Sequence, residues 1–360
     1  MMSRKVSGFM LFMTFMVNAL MTIESAPQSS PPDPASYVCY RASSPIVVDG
    51  KLEEPSWRNA AWSTDFVDIE GQKKPTPALQ THLKLLWDDV YFYLGAELIE
   101  PHVWATLTAH DSVIFHDNDF EVFIDPNGDS HEYYELEINA LGTTWDLLLP
   151  RPYKDGGKPI NNWEIAGLKS AVHVDGTLND PRDRDRGWSI ELAIPWSALA
   201  ELARRPAPPH DRDQWRVNFS RVEWPIDISN TTTYRKRDGE NEHNWVWSPQ
   251  GVVDMHRPES WGYVQFSTEK PGTDAFIPDP SRSARVWLQA VYYAQREYQR
   301  VHGRWALRLD DFNIARPSDS TLSAPTLEVT SSLFEASITL TLKSGVQHWH
   351  IRQDALVWSD

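Results

Sequence analysis

Between His116 and Leu149 the chain reads HDNDFEVFIDPNGDSHEYYELEINALGTTWDLLL, and on two candidate strands there acidic and apolar residues alternate. Asp119, Glu121 and Asp125 alternate with Phe120, Val122 and Ile124, and Glu135, Glu137 and Asn139 alternate with Leu136 and Ile138. Acids at period two share one face of a strand while the apolar residues share the other. Such a row could accept hydrogen bonds from ligand hydroxyls, hold a hard cation, or supply the two carboxylates that flank a bond under hydrolysis. Paired catalytic carboxylates must line a cleft, whereas Glu121, Glu135 and Glu137 read as the solvent face of an alternating sheet. The sequence has no GxSxG, HExxH or phosphate-loop motif, so no catalytic residue is named.

Asp125-Pro126-Asn127-Gly128-Asp129 joins the two acidic runs. Asp125, Asn127 and Asp129 place side-chain oxygens at alternate positions, as a calcium loop begins. The twelfth position, where such a loop has a bidentate glutamate, is Leu136. A hairpin turn, with Gly128 taking positive φ, is the simpler reading, and structural calcium is the alternative.

The wider composition restricts the partners. Fifty acids against 34 bases give a formal charge of -16, which disfavours nucleic acid and anionic membranes. Seventeen tryptophans suit a β core or a face that stacks on flat ligands. Cys39 is the only cysteine, so no intramolecular disulfide or cysteine-based zinc site can form, and it reads as a buried strand thiol.

The elements that must hold the acidic row come next. Residues 1–26 read as a signal peptide, with Arg4 and Lys5 before a short apolar run, which implies a secreted or periplasmic protein with no membrane span after cleavage. An uncleaved anchor is the alternative. Residues 27–36 form a Pro/Ser-rich spacer. Residues 37–268 read as about ten strands with almost no helix, including a short strand at Ile46–Val48 and alternation at Gly187–Pro195 and Gln214–Trp224. The fold class expected is mainly β, an antiparallel sandwich of jelly-roll or immunoglobulin-like type. Residues 269–283 read as a linker. Residues 284–360 read as a small α+β appendage, with one amphipathic helix ended by Gly303 and about three strands. Asn218 and Asn230 stand in glycosylation sequons.

Three segments in order, Val47-Val48-Asp49-Gly50-Lys51-Leu52-Glu53-Glu54-Pro55-Ser56-Trp57, Asn118–Asp125, and Trp247-Ser248-Pro249 through Trp261-Gly262-Tyr263-Val264, resemble family 9 carbohydrate-binding modules within the DOMON-like sandwiches. The resemblance covers about residues 45–267 and is to secreted bacterial proteins. It implies a β-sandwich that binds a glycan in carbohydrate catabolism, often holds structural calcium, and has no catalysis of its own. If enzymatic, the chain would be a hydrolase acting on O-glycosyl compounds, or an accessory to one.

The family clamps a sugar between two aromatic slabs with a glutamate below. Laid on this chain the first slab falls near Phe115, the glutamate on Glu121, the second slab near Met255 and a basic position on Glu137, leaving Trp245 or Trp247 as substitute platform. A cell-surface or enzyme partner would dock through the C-terminal region. Some DOMON-like sandwiches bind haem through His and Met, and His116 and Met255 adjoin the two clamp positions, with a surface histidine and a core methionine as the simpler reading.

Overall fold

The computed structural model describes residues 33–228, 233–312, 314–315 and 317–360. The expected signal peptide, most of the Pro/Ser spacer and the Asn230 sequon lie outside the described residues. The alternating segments become strands because one face of each finds a common core. In chain order they are β1 (Ser36–Arg41), α1 (Pro55–Asn59), β2 (Val67–Asp68), β3 (Thr81–Trp87), β4 (Tyr91–Ile99), β5 (Asp119–Asp125), β6 (Tyr133–Asn139), β7 (Thr144–Leu149), β8 (Lys169–Asp175), β9 (Gly187–Pro195), α2 (Trp196–Ala203), β10 (Gln214–Glu223), β11 (Ile226–Asp227), β12 (Arg235–Lys236), β13 (His243–Val246) and β14 (Gly262–Ser267).

The ladder runs β7-β6-β5-β10-β14-β1-β3-β4-β9-β8, with β13 and β2 added beside β10. Pairing is antiparallel except at β1, which runs parallel to β14 and, over Tyr40 and Arg41, parallel to β3. β1 is thus the seam along which one sheet folds into two layers. Phe120, Val122 and Ile124 from one layer meet Leu94, Ile190 and Leu192 from the other in the principal core. Cys39 is buried there, as expected.

Two local readings change. Ile46–Val48 is extended but joins no ladder. Its role is to deliver Asp49 and Gly50, whose backbone N–H groups donate to Glu191 Oε2 at 2.9 and 3.1 Å, while Trp57 Nε1 donates to Glu191 Oε1 at 2.8 Å. Gly50 has φ +86° and its Cβ would meet His173 N at 2.7 Å, so glycine is required. The helix α2 was not expected, although Trp196, Leu199 and Ala203 are buried at three- and four-residue spacing.

Beyond the sandwich, α3 (Arg282–His302) buries Ala284, Trp287, Leu288 and Val291 against a four-stranded antiparallel sheet. The sheet is β15 (Thr326–Val329), β16 (Phe334–Leu342), β17 (Gly345–Arg352) and β18 (Val357–Ser359), one strand more than the sequence suggested. The connecting segment is no free spacer, since Gln265 Nε2 donates to Ala275 O and Tyr40 Oη to Asp274 O. The appendage grips the sandwich at its turns. Val357 N donates to Asp129 O at 3.1 Å, His131 Nε2 lies 2.7 Å from Asp354 O, and Tyr292 Oη donates to Asp155 Oδ1 at 2.5 Å.

Candidate ligand-binding face

The second face of β5 carries Asp119, Glu121, Phe123 and Asp125. Register places Trp145 of β7, Glu137 of β6, Glu121 of β5 and Ser220 of β10 in one row across four strands. The sequence reading put these acids on a solvated face. They are instead buried, with Asp119 at 0%, Glu121 and Glu135 at 5% and Glu137 at 1% exposure. The turn at Ile114–His116 is what covers them, because Ile114, Met255 and Trp261 build a second apolar cluster over Phe123 and Tyr133, with Phe115 packed against it. Alternation reveals which residues share a face and is silent on whether loops fold back over it.

Hydrogen bonding in the row is incomplete. Glu137 Oε2 accepts the Phe115 N–H at 2.9 Å. Both Asp119 oxygens, Glu121 Oε2, Glu135 Oε2, Ser220 Oγ and Trp145 Nε1 are buried and have no partner of regular geometry. Buried polar groups are nearly always satisfied, and leaving one unpaired costs about 1–3 kcal/mol. Burial first, and the neighbouring acids second, raise the carboxyls of Asp119, Glu135 and Glu137 well above the ordinary range. Burial pushes Glu121 up to about 7, opposed by the Ser220 hydroxyl beside it. One oxygen from each of Asp119, Glu121 and Glu137 lies within 4.8 Å of the others.

Aromatic groups border this floor. Trp224 is half-buried and donates from Nε1 to Phe115 O at 2.8 Å, and Lys236 Nζ sits 3.5 Å over its ring. Tyr153, 42% exposed, packs edge-on against His256 with ring centroids 4.5 Å apart, and the charges of Glu135 and Glu137 help burial to raise its phenol. His256 accepts or donates at Nδ1 with Tyr133 Oη, 2.9 Å away, and burial with Lys154 nearby pushes it down to about 3.

Of the residues named from sequence, Phe115, Glu121 and Glu137 come together here. Met255 is near in space but serves the apolar cluster, and its carbonyl accepts the Trp261 indole N–H. Trp245 and Trp247 do not supply a platform. Both lie in the principal core, 5% and 3% exposed, on the opposite face of the layer. Trp247 fills the space over Gly262, whose Cβ would meet its ring at 2.2 Å, and Arg221 lies 5.2 Å over the Trp245 ring. His116 is exposed while Met255 is buried, so the two do not form a matched pair of inward ligands. Asn218 is wholly buried and donates to Ser248 O, which closes that sequon to modification in the folded chain.

The residues suggested for calcium do not fit a cation. Asp125 Oδ1 and Oδ2 accept the N–H groups of Gly128 and Ser130, Asn127 Nδ2 donates to Asp129 Oδ2, and the Arg285 guanidinium donates to Gly128 O. The turn is closed by its own amides, and a fixed cation already adjoins it. Among the described residues one other set of His and acids converges, His110 with Asp146 and Glu164. There His110 Nε2 is already 3.0 Å from Glu164 Oε2. An open groove of about 580 Å³ along Ile46, Val48, Tyr93, Lys169 and Ala193 lies on the other layer, away from the acids.

Tyr153, Trp224, Lys236, Ser220 and Trp145 were missed. Tyr153 and Trp224 were read as loop and strand-end residues, and only tertiary structure carries them to the acids. Ser220 and Trp145 were legible in principle, since each stands on the face shared with Glu121 and Glu137 once register is known.

Residues 48–210 match the family described as "Carbohydrate family 9 binding domain-like". This segment is similar to that family. The family 9-like match takes in β5 to β7 and stops before β10, so Ser220 and Trp224 lie outside it. Exoglucanase XynX of Acetivibrio thermocellus is 26% identical over 156 residues, 43% of this chain and 12% of that protein. Endo-1,4-beta-xylanase A of Thermoanaerobacterium saccharolyticum is 28% identical over 153 residues, 42% of this chain and 11% of that protein. The match thus spans about a tenth of the length of these curated relatives. A family 9 carbohydrate binding module from Caldicellulosiruptor kristjanssonii, solved in complex with cellotriose, superposes with TM-score 0.43 at 14% identity, over 68% of this chain and 100% of that one. No helix among the described residues is long and apolar enough to cross a membrane.

Proposed function

We propose that this chain binds a glycan on the acidic face of β5 and β6 and does not cleave it. The observation that carries the reading is the row of unpartnered donors and acceptors, Trp145 Nε1, Glu121 Oε2 and Ser220 Oγ, beside Asp119 and beneath Phe115, Tyr153 and Trp224. A sugar ring has an apolar face for an aromatic side chain and hydroxyls that both donate and accept, so it could satisfy such a floor. The family 9-like match supports the same reading, and the signal-like leader suggests a secreted or periplasmic role in carbohydrate catabolism.

Catalysis fits the geometry less well. Glycosidic carboxylates face each other across a bond at about 5 Å or more. Here the acids stand side by side on one sheet surface, with oxygens of Asp119, Glu121 and Glu137 within 4.8 Å of one another. The arrangement holds a ligand from below.

Calorimetric titration with xylo- and cello-oligosaccharides, chosen because the relatives are named a xylanase and a glucanase, tests the proposal. Binding should fall by tenfold or more in Glu121→Gln and about fivefold in Tyr153→Ala, since an aromatic contact contributes about 1 kcal/mol. If no oligosaccharide binds, or both variants bind as the parent does, the reading is wrong.

A further inference from the structure

We propose that Asp119, Glu121 and Glu137, with the Ser220 hydroxyl beside them, hold a hard divalent cation such as Ca²⁺ in the floor of the binding face. The inference deepens the glycan reading only in one respect, that the outward positions of the ion would meet sugar hydroxyls.

Four acids are buried together without a neutralising base of their own. Lys236 is a base whose charge reaches Asp119, and it is held over the Trp224 ring, while Asp117 and Glu242 add further negative charge nearby. Four buried carboxyls can be made tolerable by protons or by a cation. The geometry points to a cation. Calcium takes oxygen ligands at about 2.3–2.6 Å, so ligand oxygens around it stand at most about 5 Å apart. The three carboxylates already offer oxygens within 4.8 Å of one another.

Ser220 is the independent sign. It is a neutral side chain, wholly buried, set in register opposite Glu121, with its hydroxyl beside that carboxylate and without a partner of regular geometry. Carbonyl-like and hydroxyl oxygens commonly complete such a shell. The Asp119 carboxylate, at 0% exposure with no partner of regular geometry and the Val222 N–H beside it, is what a cation would engage first. The suggested hairpin site at Asp125 offers no such oxygens, because its amides use them.

The test is titration of EDTA-treated full-length protein, in the absence of any sugar, with CaCl₂, MgCl₂ and MnCl₂ separately, with Tb³⁺ luminescence as a second readout. One ion per chain should bind. Asp119→Asn and Glu137→Gln, which keep side-chain shape, should each weaken binding at least tenfold, and Asp125→Asn should leave it unchanged. Melting temperatures recorded on the same samples identify a variant that has not folded, and Ser220→Ala, expected to weaken binding about threefold, then replaces it. The proposal fails if none of the ions binds, if Asp119→Asn and Glu137→Gln bind as the parent does, or if Asp125→Asn alone abolishes binding. Ion binding with a silent sugar titration would overturn the glycan reading and leave this one standing.

Discussion

Two groups of buried charge lie on opposite faces of the same layer, and they are finished to different degrees. On the core side Arg221 Nη2 donates to Glu100 Oε2 at 2.7 Å and to Glu223 Oε2 at 2.8 Å, while Nη1 donates to Thr81 Oγ1 and Ile99 O. On the other side Asp119, Glu121, Glu135 and Glu137 have no guanidinium partner among the described residues, and four of their oxygens, both of Asp119 with Glu121 Oε2 and Glu135 Oε2, have no partner of regular geometry. The first group is closed by its own residues. The second keeps unpartnered oxygens, and on the glycan proposal that contrast is what separates a structural cluster from a binding one.

Breaking the closed cluster should have the larger effect on folding. Arg221→Met leaves Glu100 and Glu223 buried without their base, and removing one partner of a buried ion pair costs about 3–5 kcal/mol. Chemical denaturation would show it, and adding Glu100→Gln and Glu223→Gln should restore much of the loss, since the penalty belongs to the stranded acids. An Arg221→Met protein as stable as the parent would mean the cluster is not the structural one.

The open cluster should reveal itself through pH. Glu121 rises from an ordinary 4.5 to about 7 on folding. Its contribution to stability is therefore fully present below about pH 4.5 and is lost as pH rises through about 7. In EDTA-treated protein the unfolding free energy should fall across that window, and Glu121→Gln should flatten the fall. The flattening is partial, because Asp119, Glu135 and Glu137 are raised by the same burial, Asp125 is held up to about 7 by burial and Asp129, and all four remain in the variant. An unchanged slope in Glu121→Gln would show that the acids are not coupled to folding as their burial implies.

Period-two alternation was enough to place β5, β6 and β9 and to pair their apolar faces, because a strand's two faces are fixed by its backbone. It also put Glu121 and Glu137 on one face, while Phe115 came only from the family resemblance. What it could not give was the state of the polar face. Glu121 on a solvated sheet and Glu121 under a folded-back loop have the same neighbours in sequence, and the loop that decides between them is held by an apolar cluster that joins Ile114 and Trp261, far apart along the chain. Trp245 and Trp247 were misplaced for the same reason. An aromatic residue before a strand is equally compatible with a ligand platform and a core plug, and only the missing Cβ of Gly262 shows that Trp247 needs room inside. The Val48-Asp49-Gly50 motif likewise looked like a strand and turn, whereas its backbone exists to hold the Glu191 carboxylate.

The smallest effect expected concerns the appendage, and it sharpens how far the open cluster depends on distant support. Tyr153, at the rim, lies two residues from Asp155, which Tyr292 of α3 holds by a 2.5 Å hydrogen bond. Asp254 to Glu259, which carries His256, is tied to the same helix through Arg257 Nε and Tyr293 Oη at 2.9 Å. Both rim loops therefore end on α3, while the acids themselves sit on rigid strands. Tyr292→Phe removes one hydrogen bond, worth about 0.5–1.5 kcal/mol, and leaves the ring packed. Sugar affinity should fall about twofold to threefold, with ion binding unchanged, because Asp119, Glu121 and Glu137 owe nothing to that helix. Equal losses of both would place the whole face, floor and rim together, under the control of the C-terminal region.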